Sequence, residues 1–309
     1  RKVLKSIKSL ILPDNFYVEY LIVDNNSTNA WYECLNQELI GFPFHFIKEE
    51  CQGLTFARKA GFQAAKGEYL ICVDDDNQLD SNYLIRFESL IENFPNVGVW
   101  GPGFISVVFD DAAPKWVENY RGVFQEKSVK EICFGDEKKW MPYYPPGTGM
   151  CLHRRVADHY LYLVDTKRMT AVDRQGKILS SGGDSQLVYA GILLGYSAGI
   201  APGLKVNHLI SASKTNLNYI KKLTFAVFSC WPVHLEVFPD MNLPFDKPSF
   251  TKFIKYLFHL LWKSRFGIHP HRLQIPLARR MADIFSYYEV YKLEIPFFLK
   301  FVIRLFKFR

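Results

Sequence analysis

Three consecutive aspartates, Asp74, Asp75 and Asp76, follow a continuous apolar run from Tyr69 to Val73. Carboxylates this close together repel one another and raise one another's pKa, so a chain tolerates them best where a cation compensates their charge. No sulfur or clustered histidine accompanies them, and such oxygen ligands favour Mg²⁺ or Mn²⁺, which usually also binds substrate phosphates. The alternative is a solvated acidic loop at the positive end of the next helix, and the triplet alone does not decide between the two.

Two further polar positions gain meaning only in combination with this triplet. Asp184 follows Gly182 and Gly183 at the start of a predicted helix, where an aspartate serves either as a reactive carboxylate or as an ordinary helix N-cap. His208 is a lone histidine, and such residues are more often satisfied polar groups than metal ligands. Each position by itself favours the structural role.

The elements that must position these residues alternate along the first half of the chain. Helical spacing of apolar residues covers about 1–11, 54–65 and the stretch after Ser81, whereas short apolar runs at 20–23, 44–47 and 69–73 predict strands. This alternation predicts an α/β fold with a mostly parallel sheet flanked by helices. Ligands bind beyond the carboxyl ends of strands in such sheets, so we expect Asp24 and the 74–76 triplet to share one site.

The positive charge of the chain is concentrated at its end. Residues 251–309 hold 12 Lys/Arg and 3 Asp/Glu, a net of +9, whereas the whole chain of 309 residues carries +7. A near-neutral body with a basic tail indicates a local anionic partner rather than nucleic acid. The six cysteines form no CxxC pair and no zinc-site spacing, which indicates a reducing compartment.

The order of the polar motifs is more specific than any one of them. The motifs are Asp24-Asn25-Asn26-Ser27-Thr28, Gly53 with Ala57-Arg58-Lys59-Ala60-Gly61, Asp74-Asp75-Asp76, Gly147-Thr148-Gly149-Met150, Gly182-Gly183-Asp184 and His208. Over roughly residues 1–215 this set resembles the family-2 glycosyltransferases of the non-processive bacterial type, which have the GT-A fold. The resemblance implies a catalytic domain over 1–215, with a donor half of about 1–100 and an acceptor half of about 101–215. A helical, basic and aromatic extension would follow over 216–309.

The resemblance also implies roles for residues on the donor side. Asp24 matches the carboxylate that reads the nucleotide base, with Asn26 and Ser27 beside it, and Gly53 and Arg58 belong to the same donor-binding half. Asp74 would lie near the ribose and the metal, with Asp75 also on the donor side. Asp76 would bind Mn²⁺ or Mg²⁺ directly, and His208 matches a position that completes the metal site in some relatives.

On the acceptor side, Asp184 matches the catalytic base of the family. Gly183 stands where relatives usually have Glu, so the base assignment depends on Asp184 alone. Gly147, Thr148 and Gly149 would lie between donor sugar and acceptor. Trp116 is either a platform on which a sugar stacks or a packed loop aromatic.

These roles together predict an inverting glycosyltransferase that moves a sugar from a nucleotide diphosphate, by default UDP, to a saccharide or polyprenyl-linked acceptor. No second carboxylate is paired with Asp184 as a covalent nucleophile, which disfavours retention. The alternatives are an inactive homologue that binds nucleotide or membrane, and another nucleotide-diphosphate enzyme such as a nucleotidyltransferase. No GxGxxG follows a predicted strand, which disfavours a dehydrogenase.

The tail has the composition of a membrane-surface segment. Lys300, Arg304 and Lys307 recur at helical spacing among apolar residues after Pro296, and residues 251–309 contain 14 aromatics. This pattern predicts basic amphipathic helices on an anionic membrane, or otherwise a helical cap packed on the catalytic domain. We expect a cytoplasmic protein, peripheral on the inner face of the membrane and active in cell-surface polysaccharide or glycan assembly. The usual first strand of the family is missing before Arg1, so we expect the natural protein to extend further.

Overall fold

The computed structural model of this chain describes residues 1–27, 41–170, 179, 181–241 and 247–309. Thr28, the last residue of the first polar motif, lies outside them. Several predicted elements are confirmed near the start of the chain: helix α1 spans Lys2–Lys8, and strands β1 (Tyr20–Asp24) and β2 (Phe44–Lys48) pair in parallel. Helix α2 (Leu54–Ala64) follows β2.

A larger sheet contains the remaining strands of the described ranges. In chain order these are β3 (Tyr69–Ile71), β4 (Asn77–Leu79), β5 (Val97–Phe109), β6 (Lys127–Ser128), β7 (Cys133–Gly135), β8 (Cys151–His153) and β9 (Ser197–Ile210). Their spatial order is β3-β8-β5-β9-β4, with β6 beside β5 and β7 beside β9. The two longest strands, β5 and β9, pair in parallel at the centre, and the short strands join antiparallel.

Helices cover both faces of this sheet. They are α3 (Tyr83–Asn93), α4 (Arg154–Asp165) and α5 (Gly183–Leu193), and a 3₁₀ segment spans Lys115–Phe124. Successive residues of a strand point to opposite faces, so on β5 Val99 joins a core with α4 and α5, whereas Trp100 joins a core with α3. The predicted α/β class and GT-A-like layering are confirmed.

The predicted helical C-terminal region is present as well. It consists of α6 (Leu217–Phe228), α7 (Trp231–Val237), α8 (Phe250–Lys263), α9 (Pro270–Val290) and α10 (Phe297–Leu305). Phe253, Met281 and Leu299, from α8, α9 and α10, meet in a separate apolar core. Within the described ranges, no helix combines the length and the apolar character needed to cross a bilayer.

Candidate active site

The loop after β1 is held in shape by its own polar side chains. Asp24 is buried, and its Oδ1 accepts a hydrogen bond from the Ser27 backbone N–H at 3.1 Å. Asn26 has a left-handed backbone, φ 56°, and donates from Nδ2 to the carbonyl of Glu50 at 3.0 Å. The three predicted residues of this motif therefore form one compact turn at the carboxyl end of β1.

Asn25 joins this turn to the start of α2. Its Oδ1 accepts from the Gly53 N–H at 2.6 Å, and its Nδ2 donates to the Cys51 carbonyl at 2.6 Å. Gly53 is the N-cap of α2 and has φ 141°, a conformation that favours glycine. The sequence-based assignment passed over Asn25, although it lies between two residues that were assigned.

Helix α2 carries Arg58 into contact with Asp184. Arg58 Nη2 donates to Asp184 Oδ1 at 2.7 Å, and the two side chains are 6% and 27% exposed. Asp184 lies in the first turn of α5, whose N-cap is Gly182, so it is not itself the cap. A buried guanidinium at hydrogen-bond distance favours the ionised form of this carboxylate while the side chain remains reachable from solvent.

In the 147–149 segment, Gly147 lies against this ion pair. A Cβ at Gly147 would collide with both Asp184 Oδ1 and Arg58 Nη2, so only glycine lets the loop approach them so closely. Thr148 Oγ1 donates to Gln125 Oε1 at 2.8 Å, and Gly149 has φ 67°. The structure therefore brings Gly147 onto the Arg58–Asp184 pair, and Gly183 is buried as the first residue of α5.

Asp76 and His208 meet because β4 pairs with β9. The register places Asn77 opposite His208, so Asp76, one residue earlier, reaches the same edge of the sheet. Asp76 Oδ2 lies 3.6 Å from His208 Nε2 and 2.8 Å from Lys214 Nζ. Its Oδ1 accepts from Nδ2 of the fully buried Asn77 at 2.9 Å. Both carboxylate oxygens are thus engaged.

The charges of this cluster are set by its partners. Burial on its own would raise the pKa of Asp76, but the interactions with His208 and Lys214 outweigh it and hold that pKa well below its ordinary value of 3.8. Burial would lower the pKa of Lys214, but the charge and hydrogen bond of Asp76 outweigh it and raise that pKa. Asp76 and Lys214 therefore form an ion pair at neutral pH.

Asp76 and His208 have the chemistry of a partial divalent-metal site. His208 Nδ1 lies 2.9 Å from the Phe124 carbonyl, which can only accept, so Nδ1 supplies the hydrogen of this contact and Nε2 is the ring nitrogen that faces Asp76. Ligands about 2.1 Å from one ion lie about 3–3.5 Å apart, close to the observed 3.6 Å between Nε2 and Oδ2. No group of three or more His, Cys, Asp or Glu that could hold a metal forms within the described ranges. The pair fits a cation whose remaining ligands come from substrate and water.

The other predicted residues have distinct surroundings. Asp74 forms a tight turn, its carbonyl accepting from the Asn77 N–H at 3.0 Å, and Asp75 is exposed. Burial raises the pKa of the Cys72 thiol to about 11, with weaker effects from the charges of Arg58, Asp74 and Asp184. The charges of Asp74, Arg58 and Asp184 therefore all act on the buried Cys72 thiol.

Trp116 lies in the 3₁₀ segment that ends at Phe124, the residue that orients His208. Its indole stacks on His271 of α9, with ring centroids 4.9 Å apart and planes 14° apart, and also packs against Tyr120. One face of the indole is thus occupied by protein.

Residues 1–151 match the family model described as glycosyl transferase family 2, which confirms the resemblance predicted from the motifs. Among solved structures, the mannosyltransferase PcManGT from Pyrobaculum calidifontis in complex with GDP-Man and Mn²⁺ is similar in fold, with a TM-score of 0.51 and 15% identity. That match covers 98% of this chain and 74% of the other.

Two further solved structures match over most of this chain. GalNAc-T7 with UDP, GalNAc and Mn²⁺ is 14% identical, with a TM-score of 0.46, covering 88% of this chain and 55% of the other, so this chain spans about half of that protein. S. aureus TarS 1–349 is 12% identical, with a TM-score of 0.42, covering 93% and 87% of the two chains. No curated protein matches significantly by sequence.

Proposed function

Starting from a catalytic region that matches glycosyl transferase family 2 over residues 1–151, we propose that this protein is an inverting glycosyltransferase dependent on a divalent metal. Its donor is a nucleotide-diphosphate sugar, UDP-linked by default, and its acceptor is a saccharide or a lipid-linked saccharide in cell-surface polysaccharide or glycan assembly. The observation that carries the proposal is that predicted site residues meet in two ionic pairs, Asp76 with His208 and Asp184 with Arg58.

In this proposal Asp184 accepts the proton of the acceptor hydroxyl. The oxygen then forms a bond to the anomeric carbon, the bond from that carbon to the diphosphate oxygen breaks, and the nucleoside diphosphate leaves with the electron pair. Arg58 keeps Asp184 ionised and fixes one carboxylate oxygen, which orients the base for proton transfer. A single direct displacement inverts the anomeric configuration.

The leaving diphosphate develops negative charge that the protein has to compensate. Asp76 and His208 would hold a Mn²⁺ or Mg²⁺ ion, with Asp74 nearby, and the bound ion would supply Lewis-acid stabilisation of that charge. The turn of Asp24, Asn26 and Ser27 would bind the nucleoside, because its buried carboxylate lies at the carboxyl end of a strand.

The test is a thermal-shift titration with UDP, GDP, dTDP and CMP, each with and without Mn²⁺. We expect one nucleotide to stabilise the protein only when Mn²⁺ is present, by RT ln(1 + [L]/Kd) for a ligand that binds the folded state. Asp76→Asn should abolish the metal-dependent part, whereas Asp14→Asn, which changes an exposed aspartate outside the predicted site, should retain it. A folded protein that responds to none of the nucleotides would contradict the proposal.

We further propose that the C-terminal helices hold the enzyme on an anionic membrane. Helices α8 and α10 contain no acidic residue, and each packs one face inward. The outward face of α10 presents Phe297, 83% exposed, Phe301 and Leu305, together with Lys300 and Arg304. Basic and aromatic side chains on one exposed helix face suit the headgroup region of an anionic bilayer.

The outward face of α8 has the same character. Phe258 and Trp262, 69% and 70% exposed, lie beside Lys255, His259 and Lys263. In a soluble environment these rings would lie against water, so their exposure together with the charge supports a surface that binds lipid.

Co-sedimentation with vesicles tests the membrane proposal. We expect binding to vesicles of phosphatidylcholine with phosphatidylglycerol but not to phosphatidylcholine alone, and release at high salt. Each basic residue near such a surface contributes about 1 kcal/mol, so Lys300→Glu with Arg304→Glu should weaken binding by about 30-fold or more. Lys138→Glu with Lys139→Glu, an exposed pair outside the tail, is the matched control. Equal losses for both double variants would contradict a specific role of α10.

A further inference from the structure

Lys214 occupies the oxygen of Asp76 that also faces His208. It ends a short 3₁₀ turn, Ala212–Lys214, directly after β9, and its Nζ donates to Asp76 Oδ2 at 2.8 Å. The same oxygen lies 3.6 Å from His208 Nε2. The Lys214 ammonium is therefore the positive charge already placed against the carboxylate that, under the proposed function, would bind the divalent ion.

An ammonium group and a divalent ion cannot share this oxygen at low cost. An ion bound to both Asp76 and His208 would lie within a few ångströms of Lys214 Nζ, and like charges at that distance in a half-buried site repel strongly. Asp76 offers no easy alternative, because its Oδ1 already accepts from the buried Asn77. The ion must therefore displace the lysine.

Displacement of Lys214 is sterically feasible. The side chain is 32% exposed and carries its ammonium group on a flexible four-carbon stem, so this group can move to solvent without disturbing a packed core. Once released, the ammonium lies next to the place where the donor's diphosphate would have to meet the metal. Binding of the ion alone would thus break the Asp76–Lys214 ion pair without replacing it. A diphosphate bound together with the ion would offer the lysine a new anionic partner.

We propose that Lys214 is a displaceable counter-cation that competes with the divalent ion for Asp76 and keeps the affinity for the ion alone low until the donor arrives. This inference rests on the proposed function, in which Asp76 and His208 hold the ion. It adds a residue that regulates the site and separates binding of metal from binding of donor.

The test measures Mn²⁺ binding in the absence of nucleotide, from the electron paramagnetic resonance signal of free Mn²⁺. Lys214→Met and Lys214→Gln should each bind Mn²⁺ about tenfold tighter than the wild type, within the usual range of coupling between two sites. Lys214→Arg keeps a cation and should bind like the wild type. Lys205→Met removes the same charge from β9, where its Nζ lies over the Phe104 ring, and should also leave the affinity unchanged.

Two results would overturn the inference, and only one of them would also overturn the proposed metal site. If Asp76→Asn weakens Mn²⁺ binding but the two neutral Lys214 variants bind like the wild type, Lys214 does not compete and the metal site itself stands. If neither the wild type nor any Lys214 variant binds Mn²⁺, the proposed metal site fails together with the role of Lys214. Thermal melting of each variant confirms that the protein tested is folded.

Discussion

Burial of His234 makes the stability of the protein sensitive to acid. His234 lies in α7 with 3% of its surface exposed, and its Nδ1 is 2.6 Å from the hydroxyl of Tyr189 in α5. Burial lowers the pKa of this histidine from 6.5 to about 4. Replacing it by Asn keeps a polar partner for Tyr189 near the position of Nδ1 and removes the titration.

The direction of the pH effect on stability depends on how many protons the folded and the unfolded protein bind. An unfolded chain takes up a proton on this histidine near pH 6.5, whereas the folded chain does not until about pH 4. The histidine therefore reduces the free energy of unfolding as the pH falls through that window. Between pH 8 and pH 5 the loss amounts to about 2 kcal/mol. This is a considerable part of the roughly 5–15 kcal/mol that stabilises a typical domain.

The assay is urea unfolding of the wild type and of His234→Asn at several values of pH from 8 to 5. Other titrating groups contribute equally to both proteins, so the difference between them isolates His234. We expect the wild type to lose about 2 kcal/mol more than the variant over this range. Two curves that stay parallel down to pH 5, or a His234 ring that titrates near pH 6.5 by NMR in the folded protein, would refute the reasoning.

Three further predictions concern the site. Gly147→Ala should reduce sugar transfer or donor hydrolysis by about 10²-fold, because the added Cβ would push Arg58 and Asp184 apart. The control is Gly122→Ala, whose Cβ would meet nothing within 4 Å and which should leave both activities unchanged. Asp184→Asn should lower turnover by at least about 10²-fold and leave the nucleotide-dependent thermal shift intact, and unchanged turnover would exclude it as the base. Gly182 has φ 126°, and a Cβ added there would lie 3.0 Å from Val233, whereas Gly195 has φ 86° and open space around it. Gly182→Ala should therefore lower the free energy of unfolding by more than Gly195→Ala. Gly195→Ala should lower the free energy of unfolding by about 1–2 kcal/mol, through its backbone conformation alone. Equal losses for the two variants would show that Val233 does not constrain position 182.

The sequence was sufficient to place the strand that ends at Asp24 and the strand that precedes the aspartate triplet. Short apolar runs followed by polar clusters are local patterns, and they led to the correct α/β class. Boundaries were less accurate: β3 ends at Ile71 rather than Val73, and α3 begins after Asn82 rather than after Ser81. Here Asp80 Oδ1 accepts the N–H of Asn82 at 3.0 Å, a local hydrogen bond that competes with capping by Ser81.

The pairings that make the site were not accessible from local patterns. Arg58 and Asp184 are 126 positions apart, and Asp76 and Lys214 are 138 apart. Asp76 meets His208 only because the three-residue strand β4 pairs antiparallel with β9, and so short a strand leaves little periodicity to read. Lys214 carried no signal at all, since a lone lysine after a strand looks like any surface residue.

The two interpretations of the tail that the sequence left open are compatible with each other. A helical cap and a basic amphipathic surface looked like alternatives, yet each helix has two sides. Leu299 and Ile303 of α10 face the helical core, and Phe301 and Arg304 face outward. Packing of one face of α10 on the helical core therefore leaves its other face available for the proposed membrane contact.

The packing of α7 limits where the C-terminal helices can be exchanged between proteins of this fold. Glu236 of α7 accepts hydrogen bonds from Gln186 Nε2 at 2.9 Å and from the Thr170 N–H at 3.1 Å, and Val233 lies against Gly182, the N-cap of α5. A chimera joined at residue 216 would leave the helix that carries Asp184 without these neighbours, although every motif residue would be retained. An exchange of the C-terminal helices therefore has to keep α7 together with the α5 helix of the same chain.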